Sequence, residues 1–335
     1  LLESAANLIH EGNLSEFSLI DDQIVARNVI VDKIRKLGKK NSVIIVKGGP
    51  GTGKTVIALH ILVLLAGNKK KDYNVHYATK SKPLLEGVKN RLPYGSEAKK
   101  LFSNVLQFIP ANFDENELDV LLVDEAHRIT ISSNHRYTKP DKFTELTQIQ
   151  TIIRASKISV FFIDDRQAIR SAEIGSSELI RECAKEYGAE LVEVELKSQF
   201  RCNGSDNYLD WLEQVIYNEP VKASFEENEF DFKIFNDPQE LYDEIKSKEG
   251  IDGQTARLCA GFCWPWSNRL SSDGQFINDI VIGNFAMPWE THDKIERIPE
   301  GYVRWYEWAY KPEGIKQLGC IYTAQGFEFD YIGVI

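Results

Sequence analysis

Eight consecutive residues carry the first chemical signal in this chain: Gly48-Gly49-Pro50-Gly51-Thr52-Gly53-Lys54-Thr55. They fit the spacing G-x-x-x-x-G-K-[ST], a glycine-rich loop whose backbone N–H groups wrap the phosphates of a nucleotide. In that pattern Lys54 reaches the β- and γ-phosphates and the Thr55 hydroxyl holds Mg²⁺. A second signal is Asp124-Glu125-Ala126-His127. Asp124 is expected to orient the Mg²⁺ and its waters. Glu125 is placed to accept a proton from the water that attacks the γ-phosphate. A third acidic group, Asp164-Asp165-Arg166-Gln167, follows farther along. Acidic strand ends occur in any α/β sheet, so this group gains its meaning from its order after the first two.

The elements that must position these residues are legible in the same sequence. Val43-Ile44-Ile45-Val46 reads as a buried parallel strand entering the loop, and Val56 through Leu65 as a helix leaving it. The phosphates then meet a helix N-terminus, where N–H groups and dipole favour an anion. Val120-Leu121-Leu122-Val123 and Ile158-Ser159-Val160-Phe161-Phe162-Ile163 read as two more buried strands. Each ends in carboxylates at the side of a parallel sheet where ligands bind. The plainer readings are a Gly-rich turn carrying GKT and an acidic N-cap for a following helix. The flanking strand and helix favour a nucleoside triphosphate site.

At 335 residues, 43% hydrophobic and 27% charged, the chain is long enough for two domains and too apolar for wholesale disorder. No apolar run approaches the roughly 20 residues that span a bilayer, so no membrane partner is expected. No signal peptide is visible, and the start at Leu1 leaves room for a natural N-terminus farther upstream. The five cysteines, Cys183, Cys202, Cys259, Cys263 and Cys320, are scattered and odd in number, which suits a reducing, cytoplasmic setting. Cys259-x-x-x-Cys263 lacks a second ligand pair at zinc spacing and reads as two structural thiols.

Net charge is −10, unevenly spread. Residues 1–110 hold 17 Lys/Arg against 9 Asp/Glu, whereas residues 111–250 hold 16 against 30. A basic first third is compatible with a phosphate-backbone partner and equally with solvated helix faces. Trp264, Trp266, Trp289, Trp305 and Trp308 crowd the C-terminal part. They suit base stacking or core packing, and the three-residue step from Trp305 to Trp308 suggests one helix face.

The ordered motifs resemble those of superfamily 1 helicases and translocases, and more closely the schlafen group-3-like DNA/RNA helicase domain family. The residues that carry the resemblance are GGPGTGKT at 48–55, DEAHR at 124–128, FFIDDRQ at 161–167 and SQFRCNGSDNYLDW at 198–211. AGFCWPWS at 260–267 and IYTAQGFEFDYIGVI at 321–335 extend it over essentially the whole chain. It implies an α/β protein with two RecA-like P-loop NTPase domains, each built on a parallel sheet. The expected division is a helical segment 1–40, a first domain 41–170, a connector 171–190 and a second domain 191–335, interrupted by the acidic stretch 226–237.

The resemblance also implies roles. Gln23 matches the glutamine that reads adenine, Gln167 the relay from the γ-phosphate to the nucleic-acid groove, and Arg201 the arginine that neutralises transition-state charge. In Thr323-Ala324-Gln325-Gly326-Phe327-Glu328, Gly326 would let backbone approach the triphosphate and Glu328 would bond the ribose. Thr323 would face nucleic acid, although the spacing to Gln325 is one residue shorter than the family pattern. Thr79 falls where a backbone phosphate would be touched. The family's last arginine motif would lie beyond Ile335, so the second domain is expected to be incomplete and further domains of a longer chain are expected. The implied activity is ATP- and Mg²⁺-dependent hydrolysis stimulated by single-stranded DNA or RNA. A nucleotide-gated switch or binding module without translocation is the rival, and a metabolic P-loop kinase accounts for fewer motifs.

Overall fold

The computed structural model of the chain describes residues 19–335 except 39, 69–70, 94, 168–170, 198–204, 223–229 and 325–326. Arg201 and Gly326 therefore lie outside the described residues. Contacts divide the chain into two units, residues 1–80 with 88–231, and residues 81–87 with 232–335.

From residue 19 onward the chain runs through α1 (Asp21–Arg35), β1 (Ser42–Gly48), α2 (Lys54–Ala66), β2 (Val75–Thr79), α3 (Lys82–Arg91), β3 (Phe102–Asn104) and β4 (Leu118–Val123), residues 82–87 of α3 belonging to the second unit. It continues through α4 (Gln148–Ala155), β5 (Ser156–Ile163), α5 (Ser177–Glu186), β6 (Glu190–Leu196) and α6 (Asp206–Ile216). The six strands form one parallel sheet in the order β3-β2-β4-β5-β1-β6. Its central strands are apolar without alternation because both faces are covered. Val43, Ile45, Leu121, Val123, Phe161 and Ile163 pack with Ile149, Ile152 and Ile153 of α4 and Ile180 of α5. The intervening Ile44, Val46, Val120, Leu122, Val160 and Phe162 are equally buried on the other face, as period-2 alternation requires. Helix α2 packs against β2, β4, β5 and α1, and is apolar almost all round because most of it is buried.

Leu191-Val192-Glu193-Val194 was expected to open a second domain. It lies instead in β6, paired with β1 at the edge of the first sheet. An edge strand with one partner needs no continuous apolar run, and its solvent side carries charge: Glu193 pairs with Lys47 at 3.1 Å and Arg181 at 2.6 Å. The connector at 171–190 likewise contributes α5 to the first core.

The second unit contains α7 (Pro238–Lys248), β7 (Ala256–Ala260), the hairpin β8 (Ile280–Ile282) and β9 (Phe285–Met287), β10 (Gly319–Cys320), α8 (Ile321–Ala324) and β11 (Tyr331–Val334). β7 is the centre of a three-stranded parallel sheet, with β10 and β11 on either side. Arg257 of β7 is fully buried. It donates to Trp308 O at 2.6 Å, Lys311 O at 2.7 Å and Glu249 Oε2 at 2.7 Å, so its charge is satisfied. Trp289 and Trp308 are core residues, and residues 305–310 form turns rather than the helix face expected of Trp305 and Trp308. Gly319 is required where it stands, because a Cβ there would lie 2.3 Å from the Trp308 ring.

Glu290 is a buried carboxylate at 1% exposure, bonded through Oε1 to the Thr323 hydroxyl, while Oε2 has no partner among the described residues. Burial pushes its pKa from the ordinary 4.5 up to about 7. The folded state therefore holds a proton more tightly than the unfolded chain, and stability falls as pH rises from about 4.5 to 7. Glu290→Gln, which keeps the shape without the charge, should stabilise the second unit at pH 8 by up to ~3 kcal/mol and have little effect at pH 4.5. Urea unfolding at the two pH values checks this, and an equal effect at both would contradict it.

Candidate nucleotide site

The phosphate loop follows from where β1 must stop. After Gly48 the chain turns into α2 through Gly51 at φ +77° and Gly53 at φ +84°, backbone that L side chains rarely adopt. Space enforces two of the glycines as well. A Cβ on Gly48 would lie 2.4 Å from Thr52 Oγ1, and one on Gly53 would lie 2.2 Å from Gln23 Nε2. Gly53 is the N-cap of α2 and supplies no side-chain cap, so the first N–H groups of the helix are free of side-chain competition for an anion. The loop's own bonds are Thr52 Oγ1 to Gly49 O at 3.0 Å, and Lys54 Nζ to the Gly48 and Gly49 carbonyls, both at 2.8 Å. Lys54 thus folds back over the loop, its ammonium held by two of the loop's own carbonyls. Gly49 meets nothing within 4 Å, which leaves room for a ligand against its backbone.

Gln23, in the first turn of α1, is buried against this loop. Its Nε2 donates to Thr52 O at 3.0 Å and its Oε1 accepts from Ile20 N at 3.3 Å. A primary amide has two N–H groups and two lone pairs, so one of each remains for a base edge.

The carboxylates sit two strands away in the sheet order, at the end of β4. Asp124 is buried, and one of its oxygens, Oδ2, accepts from Thr55 Oγ1 at 2.7 Å and from Tyr77 Oη at 2.6 Å. Burial and the neighbouring Glu125 push the Asp124 carboxyl up, opposed by those two hydroxyls and by Lys54. Tyr77, on β2, stays a protonated donor because burial and the Asp124 charge raise its pKa well above the ordinary value. Glu125 occupies left-handed backbone, φ 54° and ψ 44°, which is uncommon for a non-glycine residue. This turns its carboxylate 2.9 Å from His127 Nε2, a close approach without good hydrogen-bond alignment. Burial would raise the Glu125 pKa, but His127, Lys54 and Arg128 outweigh it and hold the carboxyl below its usual range.

The turn that carries Glu125 is clamped from behind. Ile174 N and Gly175 N donate to Ile129 O at 2.8 and 3.1 Å, and Glu173 pairs with buried Arg128 at 3.3 Å. A Cβ on Gly175 would come within 2.0 Å of Ala126 O, so only glycine lets this segment close on the turn. Neither Tyr77 nor the Glu173–Gly175 clamp was singled out from sequence. A tyrosine inside an otherwise apolar strand, whose hydroxyl must find a partner, was the available signal for the first.

Of the remaining expected residues, Gln167 lies at the C-terminal end of β5, its N–H donating to Asp164 O at 3.2 Å. That end is flanked by β1 and β4, so Gln167 shares an edge with the loop and Asp124. Asp164 beside it is buried, and its Oδ2 has no partner among the described residues. Asp165 instead holds the first residue of α5, accepting from Ser177 N at 2.8 Å and Ser177 Oγ at 2.6 Å. Thr79 and Thr323 do not present side chains to solvent as expected: Thr79 is fully buried, and the Thr323 hydroxyl is spent on Glu290. Glu328 is exposed in the second unit. The four described cysteines are free thiols, and no group of three His, Cys, Asp or Glu among the described residues is arranged to hold a metal. No helix of the described residues is long and apolar enough to cross a membrane.

The donor set fits a hard divalent cation with a triphosphate: one hydroxyl and one carboxylate of the protein, with the remaining positions left to phosphate oxygens and water, as Mg²⁺ prefers. The glycine cradle, which a single Cβ would fill, fits the phosphates.

Among curated proteins, the uncharacterized protein YPL245W of Saccharomyces cerevisiae is 25% identical over an alignment of 335 residues, covering 89% of this chain and 68% of that protein. Among solved structures, AMPPCP-bound DnaA from Aquifex aeolicus is similar at 19% identity and a TM-score of 0.30, over 63% of this chain and 56% of that one. The Pif1 helicase from Candida albicans is similar at 12% identity and a TM-score of 0.31, over 59% of this chain and 44% of that one. The chain thus spans little more than half of that DnaA chain and less than half of Pif1. At these scores neither likeness carries an argument about activity. The family model for the Schlafen group 3, DNA/RNA helicase domain matches residues 41–335, from the start of the phosphate-loop strand to the last residue, and the chain belongs to that family.

Proposed function

We propose that the chain is an ATP hydrolase, dependent on Mg²⁺ and stimulated by single-stranded DNA or RNA, of the helicase or translocase kind. The observation that carries this reading is the joining of Thr55 to Asp124 through one carboxylate oxygen at 2.7 Å, beneath a loop that Lys54 spans. Thr55 Oγ1 and Asp124 would hold the magnesium ion, which supplies neutralisation of phosphate charge when bound. Lys54 exchanges two loop carbonyls for phosphate oxygens. The N–H groups of Gly49 and of residues 51–55 bind the rest of the anion. Glu125, ionised and turned by its left-handed backbone, orients the attacking water and takes its proton. Gln23 reads the adenine edge with its remaining N–H and lone pair, which is the basis for ATP as the nucleotide. Gln167 as relay, Arg201 as neutralising arginine, and Gly326 and Glu328 as triphosphate and ribose contacts belong to the same proposal. Nucleic acid enters through membership of a DNA/RNA helicase domain family. The free thiols are compatible with a reducing cytoplasm.

Glu125→Gln should retain nucleotide binding while hydrolysis slows by roughly 10²–10⁴-fold, the usual worth of a positioned general base. Lys54→Ala should lose binding as well. Phosphate release alongside binding of a fluorescent ATP analogue separates the two variants, and a Glu125→Gln enzyme at wild-type rate would sink the assignment. Hydrolysis by the wild type that is indifferent to DNA and RNA would leave a nucleotide-gated switch in place of the motor.

Tyr77→Phe keeps the buried ring and removes one of the two hydroxyls that fix Asp124. The Mg²⁺ concentration giving half-maximal hydrolysis should rise about 10- to 100-fold, as for other losses of a ligand's supporting hydrogen bond. A magnesium titration at saturating ATP reads this directly, and an unchanged midpoint would show that Thr55 alone orients the carboxylate.

A further inference from the structure

The β4–α4 connection does more than carry Glu125. After the clamped turn it forms, with the 3-10 turn Val105–Gln107 that follows β3, an open cavity of about 340 Å³ in the first unit. The volume is within the range of small-ligand sites. Leu106 and Ile109 contribute apolar surface, Tyr137 an aromatic ring, and Lys139 and Lys142 cationic ends. Tyr137 is 72% exposed, and the Arg136 guanidinium lies over its ring at 4.6 Å from the centroid. Among the described residues Arg136, Lys139 and Lys142 are exposed and make no ion pair, so an incoming anion displaces no protein carboxylate.

This connection has a fixed shape. Gln148, fully buried at the start of α4, accepts from Thr130 N at 3.0 Å and donates to Ser133 Oγ at 3.1 Å. Asn134 and Thr144 exchange two bonds across it, at 2.6 and 3.2 Å, and His135 N donates to Thr138 Oγ1 at 2.7 Å. An exposed aromatic ring on a braced loop, one side backed by a guanidinium and bordered by two uncommitted lysines, is what a base and its flanking phosphates require. A double helix hides its base faces, so the complementary ligand is a single strand.

We propose that this cavity binds one nucleotide unit of a single-stranded nucleic acid, its base stacked on Tyr137 and its flanking phosphates held by Lys139 and Lys142. The site rests on the nucleic-acid reading of the preceding section and gives that reading a location. It lies at the C-terminal edge of the sheet, on the β3 side of β4, while the phosphate loop lies on the β1 side. One continuous connection then holds both the strand and, through Glu125, the water, so a strand seated on Tyr137 bears on the turn that positions the general base.

Fluorescence anisotropy with labelled oligo(dT), oligo(U) and an abasic strand of equal length tests the site. Wild type should bind one or both base-bearing strands about 10- to 100-fold more tightly than the abasic strand, the usual range for stacking on one aromatic side chain. Tyr137→Ala should erase that preference, and Tyr137→Trp should restore it. Joint Lys139→Ala and Lys142→Ala substitution should lower the slope of log affinity against log salt by about 1.4, from two phosphates at roughly 0.7 each. Melting temperatures report folding separately, and the abasic comparison on wild type needs no variant. A wild type that binds strands but loses nothing with Tyr137→Ala overturns the cavity alone. A wild type that binds neither DNA nor RNA overturns the cavity and the nucleic-acid reading together.

Discussion

The first unit is organised around one oxygen atom. Asp124 Oδ2 takes a hydroxyl from Thr55 at the head of α2 and another from Tyr77 on β2, so one carboxylate ties three elements at the C-terminal edge of the sheet. A buried carboxylate is costly unless its lone pairs are filled. Both fillers are neutral hydroxyls. A lysine or arginine in direct contact would have satisfied the oxygen equally well and cancelled its charge. Lys54 is close enough to be felt, but its hydrogen bonds go to the Gly48 and Gly49 carbonyls. When ionised, the carboxylate therefore keeps its charge available to a cation, because neither of its hydroxyl partners cancels it.

Around that atom the backbone is pinned by close contacts rather than by bulk packing. A methyl group on Gly48 would strike Thr52 and one on Gly53 would strike Gln23, and Gly175 leaves no space behind the Glu125 turn. The left-handed conformation of Glu125 would relax in an unsupported loop. It persists because Ile129 O accepts two N–H groups from the 174–175 segment while the Arg128–Glu173 pair closes the other side. The distortion is thus a property of the clamp, and it aims a carboxylate that an ordinary strand end would direct elsewhere.

Much of this was legible in the residues. GGPGTGKT between an apolar strand and an apolar helix specified its own geometry, because local chemistry and long-range packing agree there. The carboxylates of β4 were legible for the same reason. What escaped was set by neighbours distant in sequence. Strand order placed β2 beside β4 and made Tyr77 a partner of Asp124, and no local pattern announces that pairing. Residues 191–194 were given to a second domain because an edge strand, half exposed and rich in glutamate, lacks the apolar continuity that marks a central one. Thr323 was read as facing outward from a motif whose spacing here is short, and its hydroxyl is consumed inside the second unit.

The two buried carboxylates that bracket this comparison show why burial alone does not identify a site. Glu290 is as deeply buried as Asp124, but one of its oxygens has no partner among the described residues, and its neighbours are the Cys259 and Cys320 thiols and the Thr323 hydroxyl. Thr323 and Cys320 stabilise its anion, but burial outweighs them and lifts the carboxyl to about 7, so the group is a polar element of the core. Asp124 has both hydroxyl donors on one oxygen and its neighbour's backbone N–H on the other at 2.9 Å. Those three donors stabilise the anion and oppose the upward push that burial and Glu125 exert on this carboxyl. A functional carboxylate is recognised by donors that stabilise its charge without neutralising it, and in the first unit that condition meets a glycine cradle and a lysine.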